Sequence, residues 1–409
     1  MAGHVQDRWY KTEIIDGKRS KVKTDRYGVG KRYRARYVGP DGTEKSQSFP
    51  DRKKGEADEW LTNIEADMSR GQYVDRTAGQ ITLRAYGEKW LASRTGDQGT
   101  LVCVEQRLRL HVFPYLGSRP LVSITSEHIR GWLAELERNN LAGAYRKVIF
   151  AHLVTLFNGA VDSKRIASNP CQSSSVIVPQ PDSRRVVPWP EERVFAVQAG
   201  LPEFFQPVVD LAAGCGFRQG EVFGLALDAL DFEGDEIHVI RQVKLIRDRP
   251  VFAPPKGGKC RTAPMSSEVA KSLRDHMAEF PPVEVTLPWM RLDGDPTTVK
   301  LLFYRKGGRE VGRYDFNRAV WHPALWSAGV EPSRANGMHA LRHFFASVVL
   351  DAGESIKTLS EILGHADPAF TLRVYTHFMP SSKKRTMSAV DAVFGRRHDH
   401  GPQTAHDEG

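Results

Sequence analysis

The sequence predicts a multidomain α+β protein with three folded parts. These are a small N-terminal unit of β-sheet plus one helix, an all-α four-helix domain, and a mainly α C-terminal domain with a small antiparallel β-sheet. The 409 residues, 40% of them hydrophobic, suffice for two to three domains with sizeable cores. Hydrophobic periodicity changes along the chain from strand-like to helical to mixed. The predicted boundaries are residues 1–75, 81–171 and 191–395, with a Ser/Pro-rich linker at 172–190 and a disordered polar tail at 396–409.

A β-hairpin followed by a helix makes up most of the N-terminal unit. In the segment KRYRARYVGPDGTEKSQSFP, Tyr33, Ala35 and Tyr37 fall on one strand face, and Gly-Pro-Asp-Gly supplies the turn. A helix of about residues 54–70 follows because its apolar side chains recur at helical spacing. These side chains are Ala57, Trp60, Leu61, Ile64 and Met68.

Helical periodicity alone marks residues 81–171. We expect one helix to stop at Pro114 and Gly117, and another to begin at Thr125 or Ser126 as its N-cap. Beyond the linker the pattern changes again. It predicts helices at first, then strands through residues 236–265, and then helices to the end of the domain.

The positive charge is concentrated at the start of the chain. The formal net charge is +9, and residues 1–54 hold 15 Lys or Arg against 7 Asp or Glu, a surplus of 8. Such a segment is typical of a protein that binds polyanions. The alternative is a solvated tail, which the alternation of cations with aromatic residues makes less attractive. The candidate DNA-binding residues are Lys31, Arg32, Arg34 and Arg36.

Several protein classes are excluded by what the sequence lacks. No run of about 18 apolar residues is present, so we expect no membrane-spanning helix. The first residues contain no apolar segment, so we expect no secretory signal. The cysteines are far apart, which argues against a disulfide framework or structural zinc site and favours a reducing cytoplasm. They are Cys103, Cys171, Cys215 and Cys260.

Two basic candidates lie in glycine-rich segments of the last domain. Arg218 sits in a turn, and Glu221 follows one helical turn later, where its carboxylate can hold the guanidinium. Alone, such a pair is more often a structural salt bridge. The segment PPKGGKCRTAPM predicts a strand, a Gly-Gly turn and a return strand, with Lys256 at the hairpin tip. Alone, this pattern favours a solvated basic hairpin without a function.

Two further segments carry the remaining candidates. His339 and Arg342 are three residues apart and project from one helical face, where each disfavours the other's charge unless an anion lies between them. The tripeptide Leu-Gly-His, ending at His365, closes one helix. Pro368 then suits the first turn of the next helix, which carries Tyr375. A lone tyrosine on a helix is nearly always a core or surface residue.

Taken together, the four segments resemble the signature of the tyrosine recombinase (phage integrase) family. That signature is an Arg, a Lys on a β-hairpin, His-x-x-Arg, Leu-Gly-His, and a Tyr about ten residues later. The resemblance covers about residues 190–395. Two small departures are Phe217, commonly Leu, and Gln219, where many relatives carry a second Arg. The six matching positions are Arg218, Lys256, His339, Arg342, His365 and Tyr375.

The resemblance implies a site-specific DNA recombinase that integrates or excises a phage or mobile element through a 3′-phosphotyrosyl intermediate. Tyr375 is then the nucleophile, and Lys256 is the general acid for the leaving 5′-oxygen. The two arginines neutralise the phosphate, and Glu221 supports Arg218. The two histidines donate to the phosphate, and one accepts the phenol proton. No metal or cofactor is implied, because the arginines take the place of Mg²⁺.

The resemblance also implies partners. The helical domain is similar to the family's core-site-binding domain, and the N-terminal unit is similar to its arm-site-binding domain. The expected partners are double-stranded DNA at both kinds of site, three further copies of the chain in a tetramer, and optionally a host DNA-bending protein and an excisionase. We expect a cytoplasmic, nucleoid-associated protein with no membrane partner.

Two other functions stay open. A catalytically silent DNA-binding relative would occupy sites without cutting, although such a copy tends to lose part of the six-residue set. A type IB topoisomerase uses a similar site to relax DNA, but it does not need a second DNA-binding unit.

Overall fold

The computed structural model describes residues 3–15, 17–71, 73, 75, 78–181, 187–365, 367–375, 387, 388, 390, 391 and 394, with the backbone alone at 370 and 373. Contacts divide the chain into two units, Met1–Thr95 with Cys103–Asp182, and Gly96–Val102 with Ser183–Gly409. The domain borders given above stay predictions, and the predicted tail at 396–409 lies outside the described residues. No described helix is long and apolar enough to cross a membrane.

The N-terminal part contains a three-stranded sheet, a two-stranded ribbon and one helix. Its elements are β1 His4–Asp7, β2 Tyr10–Ile15, β3 Lys18–Lys23, β4 Tyr33–Val38, β5 Glu44–Phe49 and α1 Lys54–Ser69. The sheet has the order β1-β4-β5, and β2 pairs with β3. The predicted hairpin and helix are confirmed. Tyr33, Ala35 and Tyr37 are buried in one cluster with Leu61 of α1, so the alternate residues of β4 line the opposite sheet face.

Four helical stretches follow, as predicted. They are α2 Leu83–Ala92, α3 Gln98–Arg107 continued by α4 Phe113–Leu116, α5 Ser126–Arg138 and α6 Gly143–Asp162. The second stretch does not stop at Pro114. A π-helical turn, Leu108–Val112, precedes α4, and Pro114 occupies its first turn, where a missing N–H is tolerated. Thr125 is the N-cap of α5, and its N–H donates to Nδ1 of His128 at 3.1 Å.

The second unit mixes short helices with four small antiparallel sheets. Its helices are α7 Glu191–Ala199, α8 Pro207–Val209, α9 Gln219–Phe223, α10 Ser267–Glu279, α11 Arg313–Phe316, α12 His322–Ser327, α13 His339–Asp351, α14 Ile356–Leu363 and α15 Pro368–Tyr375. Its strands are β6 Leu230–Asp231, β7 Glu236–Val239, β8 Gln242–Ile246, β9 Arg249–Ala253, β10 Arg261–Pro264, β11 Val283–Pro288, β12 Pro296–Leu301, β13 Tyr304–Arg305 and β14 Arg309–Glu310. The predicted α+β class is therefore confirmed.

Two predictions for this unit are wrong. Strands do not end at residue 265, because β11–β14 follow α10. Lys256 also does not sit at the tip of a hairpin ladder, since β9 pairs with β8 whereas β10 pairs with β7. Pro254 and Pro255 lack the N–H groups that a ladder needs. Gly257 and Gly258, with φ values of 86° and 73°, then turn the chain, so Lys256 lies in an exposed loop.

Candidate active site

Arg342 on α13 is the most deeply placed charge of the site. Its guanidinium is fully buried, with Nη1 donating to the carbonyl of Gly216 and Nη2 to that of Leu363, each at 2.5 Å. Gly216 has φ 69°, and a Cβ there would lie 2.7 Å from the ring of Phe345, so only glycine allows this approach. Nε of Arg342 is buried with no hydrogen-bond partner in the described part of the chain. This group is therefore an unsatisfied donor within the described structure.

Glu221 gathers two arginines around one buried carboxylate. It accepts a hydrogen bond from Nη1 of Arg218 at 2.8 Å and from the Arg218 backbone N–H at 2.9 Å. Arg261 on β10 adds two more, at 3.0 and 2.6 Å. Burial acts to raise the pKa of Glu221, but the hydrogen bonds and charges of the two arginines outweigh it and lower the pKa to about 2. The carboxylate is therefore ionised at neutral pH and orients Arg218.

His365 follows the left-handed C-cap Gly364 of α14, and its ring has a defined tautomer. Nη2 of Arg342 lies 3.0 Å from Nε2 of His365, and an arginine can only donate, so Nε2 carries the lone pair. Nδ1 then carries the proton and donates to the hydroxyl of buried Thr371 at 2.7 Å. Burial, with repulsion from Arg342 and Arg218, lowers the pKa of His365 to about 3. The neutral imidazole is thus held in place from both sides.

Tyr375 ends α15 and is buried, with 1% of its surface exposed. Its hydroxyl lies 2.7 Å from Nδ1 of His343. Burial raises the pKa of Tyr375 to about 12, although the charges of Arg342 and Arg218 oppose this rise. The positive charges of both guanidiniums therefore favour the ionised phenol, but burial outweighs them and Tyr375 keeps its proton at neutral pH.

His339 and Lys256 form the exposed side of the site. His339 begins α13, and its ring packs edge-on against that of His343, with centroids 4.6 Å apart. Partial burial and the neighbouring His343 lower the pKa of His339 to about 4, and the charges of Arg342, Arg218 and Lys256 act in the same direction. Lys256 is thus within electrostatic range of His339 although its loop is exposed.

The structure brings the predicted site residues of the second unit into one electrostatic cluster. It also adds three residues that the sequence analysis did not single out, Arg261, His343 and Thr371. Two weak signals for them exist in the sequence. Arg261 follows Lys256 in the same basic segment, and His343 lies one helical turn after His339. Thr371 carries no signal of its own, because a threonine within a helix is ordinary.

Arg32 of the N-terminal unit is bound within its own unit. Its Nε and Nη2 donate to Asp7, the closest contact being 2.8 Å, and its Nη1 donates to Asp51 at 3.1 Å. The guanidinium also lies 4.9 Å from the ring centroids of Tyr10 and Tyr33. The Arg32 guanidinium therefore donates its hydrogen bonds to residues of the N-terminal unit itself.

The other predicted DNA-binding residues are more accessible. Arg34 and Arg36 share the outer face of the sheet, where Arg34 donates to Ser46 at 2.9 Å and Arg36 to Glu44 at 2.7 Å. Lys31 is exposed in the loop before β4. An exposed ion pair such as Arg36–Glu44 contributes little free energy, and its arginine exchanges readily to another anion.

The chemistry that the site favours is the binding of an anion. Arg218, Arg342, Arg261 and Lys256 contribute positive charge, and among the described residues the carboxylate of Glu221 lies between Arg218 and Arg261. Among the described residues no group of three His, Cys, Asp or Glu side chains is arranged to hold a metal ion. A phosphate diester would offset this excess of positive charge within electrostatic range of the Tyr375 hydroxyl.

The chain is similar to known proteins over the part that contains this site. The model of the phage integrase family matches residues 203–381, which include all six predicted positions. The integrase of Mycobacterium phage L5 is 24% identical over 403 residues, which cover 91% of this chain and 96% of the relative. A XerC-like tyrosine recombinase of Caldanaerobacter subterraneus is 26% identical over 286 residues, covering 66% of this chain and 72% of the relative.

Solved structures share the fold. The integrase of transposon Tn1549, in complex with a circular intermediate DNA, matches with a TM-score of 0.64 at 21% identity, over 76% of this chain and 99% of that one. A lambda integrase tetramer bound to a Holliday junction matches with a TM-score of 0.55 at 16% identity, over 83% and 91% of the two chains. At these identities the similarity concerns the fold.

Proposed function

The chain belongs to the phage integrase family and is a tyrosine site-specific recombinase, and we propose from this premise that Tyr375 is its nucleophile. The phenol oxygen attacks a DNA phosphodiester, the bond to the 5′-oxygen breaks, and a 3′-phosphotyrosyl bond remains. The free 5′-hydroxyl of the partner strand then attacks this phosphotyrosyl bond, which joins the two strands and releases Tyr375. Phosphodiester energy is conserved, so no nucleotide cofactor enters the balance.

The observation that carries this proposal is that the buried guanidinium of Arg342 contacts the ring of His365 at 3.0 Å and lies within electrostatic range of the buried Tyr375 hydroxyl. Burial and the charge of Arg218 lower the pKa of Arg342 to about 9, so its guanidinium is still charged at neutral pH. Together with Arg218 it neutralises the non-bridging oxygens of the phosphate. We assign both roles to His339: one ring nitrogen donates to the same group, and the other accepts the phenol proton once the negative charge of the bound phosphate has raised its pKa. His365, for which the resemblance implies the same roles, supports Arg342 instead, because its Nδ1 donates to Thr371 and its Nε2 accepts from Arg342. Lys256, on its exposed loop, delivers a proton to the leaving 5′-oxygen. These roles follow from the placement of charge, since phosphoryl transfer needs mainly positioning and neutralisation.

Replacing Tyr375 with Phe tests the proposal. The substitution removes one oxygen and keeps the ring, so DNA affinity stays nearly constant while covalent protein–DNA adducts disappear from denaturing gels. A Tyr375→Phe variant that still forms adducts contradicts the assignment. Supercoiled plasmid tested beside a paired-site substrate separates the two alternative functions: relaxation without exchange indicates a topoisomerase, and binding without adducts indicates a silent relative.

DNA is the partner of this enzyme, and we place two DNA sites on it. Residues 81–171 and 191–395 bind the core site, and residues 1–75 bind a separate arm site through the outer face of the β1-β4-β5 sheet. Arg34 and Arg36 on that face, with Lys31 beside it, supply the charge. Binding at the arm site raises the local concentration of the core complex without touching the chemistry.

The active assembly is a tetramer on DNA, as the lambda integrase structure is on its junction. Met387, Val390 and Phe394 are exposed apolar side chains that suit contact with a neighbouring copy, and Val393 lies outside the described residues. A host DNA-bending protein and an excisionase join during integration and excision, and the enzyme works at the nucleoid in the cytoplasm.

A further inference from the structure

His343 contacts the reacting atom although it is outside the six family positions. It follows Arg342 directly on α13, and its Nδ1 lies 2.7 Å from the hydroxyl oxygen of Tyr375 across 32 residues of chain. The two ring centroids are 5.6 Å apart. The ring of His343 also packs edge-on against that of His339, with centroids 4.6 Å apart. The imidazole is therefore fixed by its helix and by a neighbouring ring before it meets the phenol.

We propose that His343 is a positioning residue for the nucleophile: its Nδ1 accepts the hydrogen bond of the Tyr375 hydroxyl and holds the phenol in the site of its own chain. The inference rests on the proposed role of Tyr375. It goes beyond that role because it adds a side chain on which the rate of cleavage depends without any contact to the phosphate.

The direction of the hydrogen bond follows from protonation. Burial and the charge of Arg342 lower the pKa of His343 to about 4, so the ring is neutral at neutral pH. The phenol, with a pKa of about 12, keeps its proton and is the natural donor. Nδ1 then carries the lone pair and Nε2 the proton.

The pKa values of His343 and Tyr375 also decide whether His343 positions the phenol or takes up its proton. The pKa of His343 is lowered and that of Tyr375 is raised, so the proton stays on the phenol oxygen rather than on His343 in the DNA-free protein. The contact is therefore a hydrogen bond between neutral groups in the DNA-free protein. Its benefit is geometric, because a nucleophile held close to its attack position has already lost the rotational freedom that the reaction requires.

Two substitutions of His343 test this reading. His343→Phe keeps a ring and removes the acceptor, whereas His343→Asn places an amide oxygen near the position of Nδ1 but cannot take up a proton. The assay is single-turnover formation of the covalent adduct on a core-site duplex, with DNA affinity measured separately. We expect His343→Phe to slow cleavage by about 10- to 100-fold at unchanged DNA affinity, and His343→Asn to recover most of the rate.

Thermal unfolding gives a readout that needs no DNA. His343→Phe, Tyr375→Phe and the double variant should lower the melting temperature non-additively, because each single change removes the same hydrogen bond. His276→Asn is the matched control. His276 is also buried, but it lies opposite the carbonyl of Leu302, outside the site, so its loss should leave the cleavage rate of folded protein unchanged.

Each result decides the question. Additive melting shifts together with normal cleavage by His343→Phe overturn the proposal. A folded His343→Asn as slow as His343→Phe also overturns it, because His343 would then be needed to take up a proton. If either of these results is found and Tyr375→Phe still abolishes adducts, the proposed role of His343 fails and that of Tyr375 stands. If Tyr375→Phe still forms adducts, the proposed nucleophile fails first.

Discussion

Arg261 donates two hydrogen bonds to the carboxylate of Glu221, and its Nε donates a third to the carbonyl of Ile362 at 2.6 Å. The same carboxylate holds Arg218, so one side chain of β10 ties α9 to the end of α14. The Arg261 side chain is 6% exposed. This geometry makes Arg261 a positioning residue that acts on the phosphate site through Glu221.

Replacing Arg261 with Lys should therefore impair catalysis although the charge is kept. A lysine cannot make the forked contact with Glu221, so Arg218 loses part of its support. We expect the rate of cleavage at saturating DNA to fall by about 10- to 100-fold, with a smaller change in DNA affinity. Arg274→Lys is the matched control, because Arg274 stacks on Phe232 outside the site. Equal effects of both substitutions would contradict the assignment.

Glu221 should make the protein sensitive to acid. The pKa of its carboxyl is lowered from 4.5 to about 2 in the folded chain, so its contribution to stability is present above pH 4.5 and is lost as the pH falls towards 2. For this fully buried group the shift corresponds to about 3 kcal/mol of unfolding free energy.

Urea unfolding at pH 6 and pH 3 measures this contribution. Glu221→Gln should be destabilised at pH 6 by about 3–5 kcal/mol, because two arginines lose their counter-ion. It should then lose less stability than the unmodified protein between the two pH values. Equal acid losses with and without the carboxylate would show that Glu221 titrates normally.

Lys256 should be replaceable when the leaving group needs no proton. We expect Lys256→Ala to slow cleavage strongly, and a substrate with sulfur in place of the bridging 5′-oxygen to restore much of the rate. Lys259→Ala, in the same exposed loop, is the matched control and should cleave both substrates normally. Without rescue by sulfur, Lys256 would be a phosphate-binding residue.

Cleavage should also survive EDTA, and inhibition by the chelator would contradict a metal-free site.

The outer face of the N-terminal sheet should determine how arm-site binding responds to salt. Each lost phosphate contact should reduce the slope of log K against log salt by about 0.9 on duplex DNA. The full chain with Arg34→Gln and Arg36→Gln should therefore show a flatter slope on arm-site DNA and normal cleavage of an isolated core site. Lys53→Gln, on a residue paired with Glu56, is the control. An unchanged slope would mean that this face does not contact the arm site.

The sequence by itself determined the α+β class, the buried face of the β4–β5 hairpin and the helices that carry the catalytic candidates. These follow from local patterns, since alternation and helical spacing are read over a few residues. It also carried the resemblance to the tyrosine recombinase family, because six residue types recur in a fixed order. It misplaced Lys256, since pairing of β9 with β8 and of β10 with β7 is a choice among distant partners that turn residues do not encode.

Only the tertiary structure decided which groups touch. Arg342 reaches the carbonyl of Gly216 across 126 residues, and Arg261 reaches Glu221 across 40. The two arginines that meet Glu221 make it an anion at neutral pH against the effect of burial, whereas burial and nearby arginine charge keep His343 and His365 neutral. A pattern in the chain names the charged and polar groups, but their desolvation and mutual distances arise from packing, and these set the chemistry.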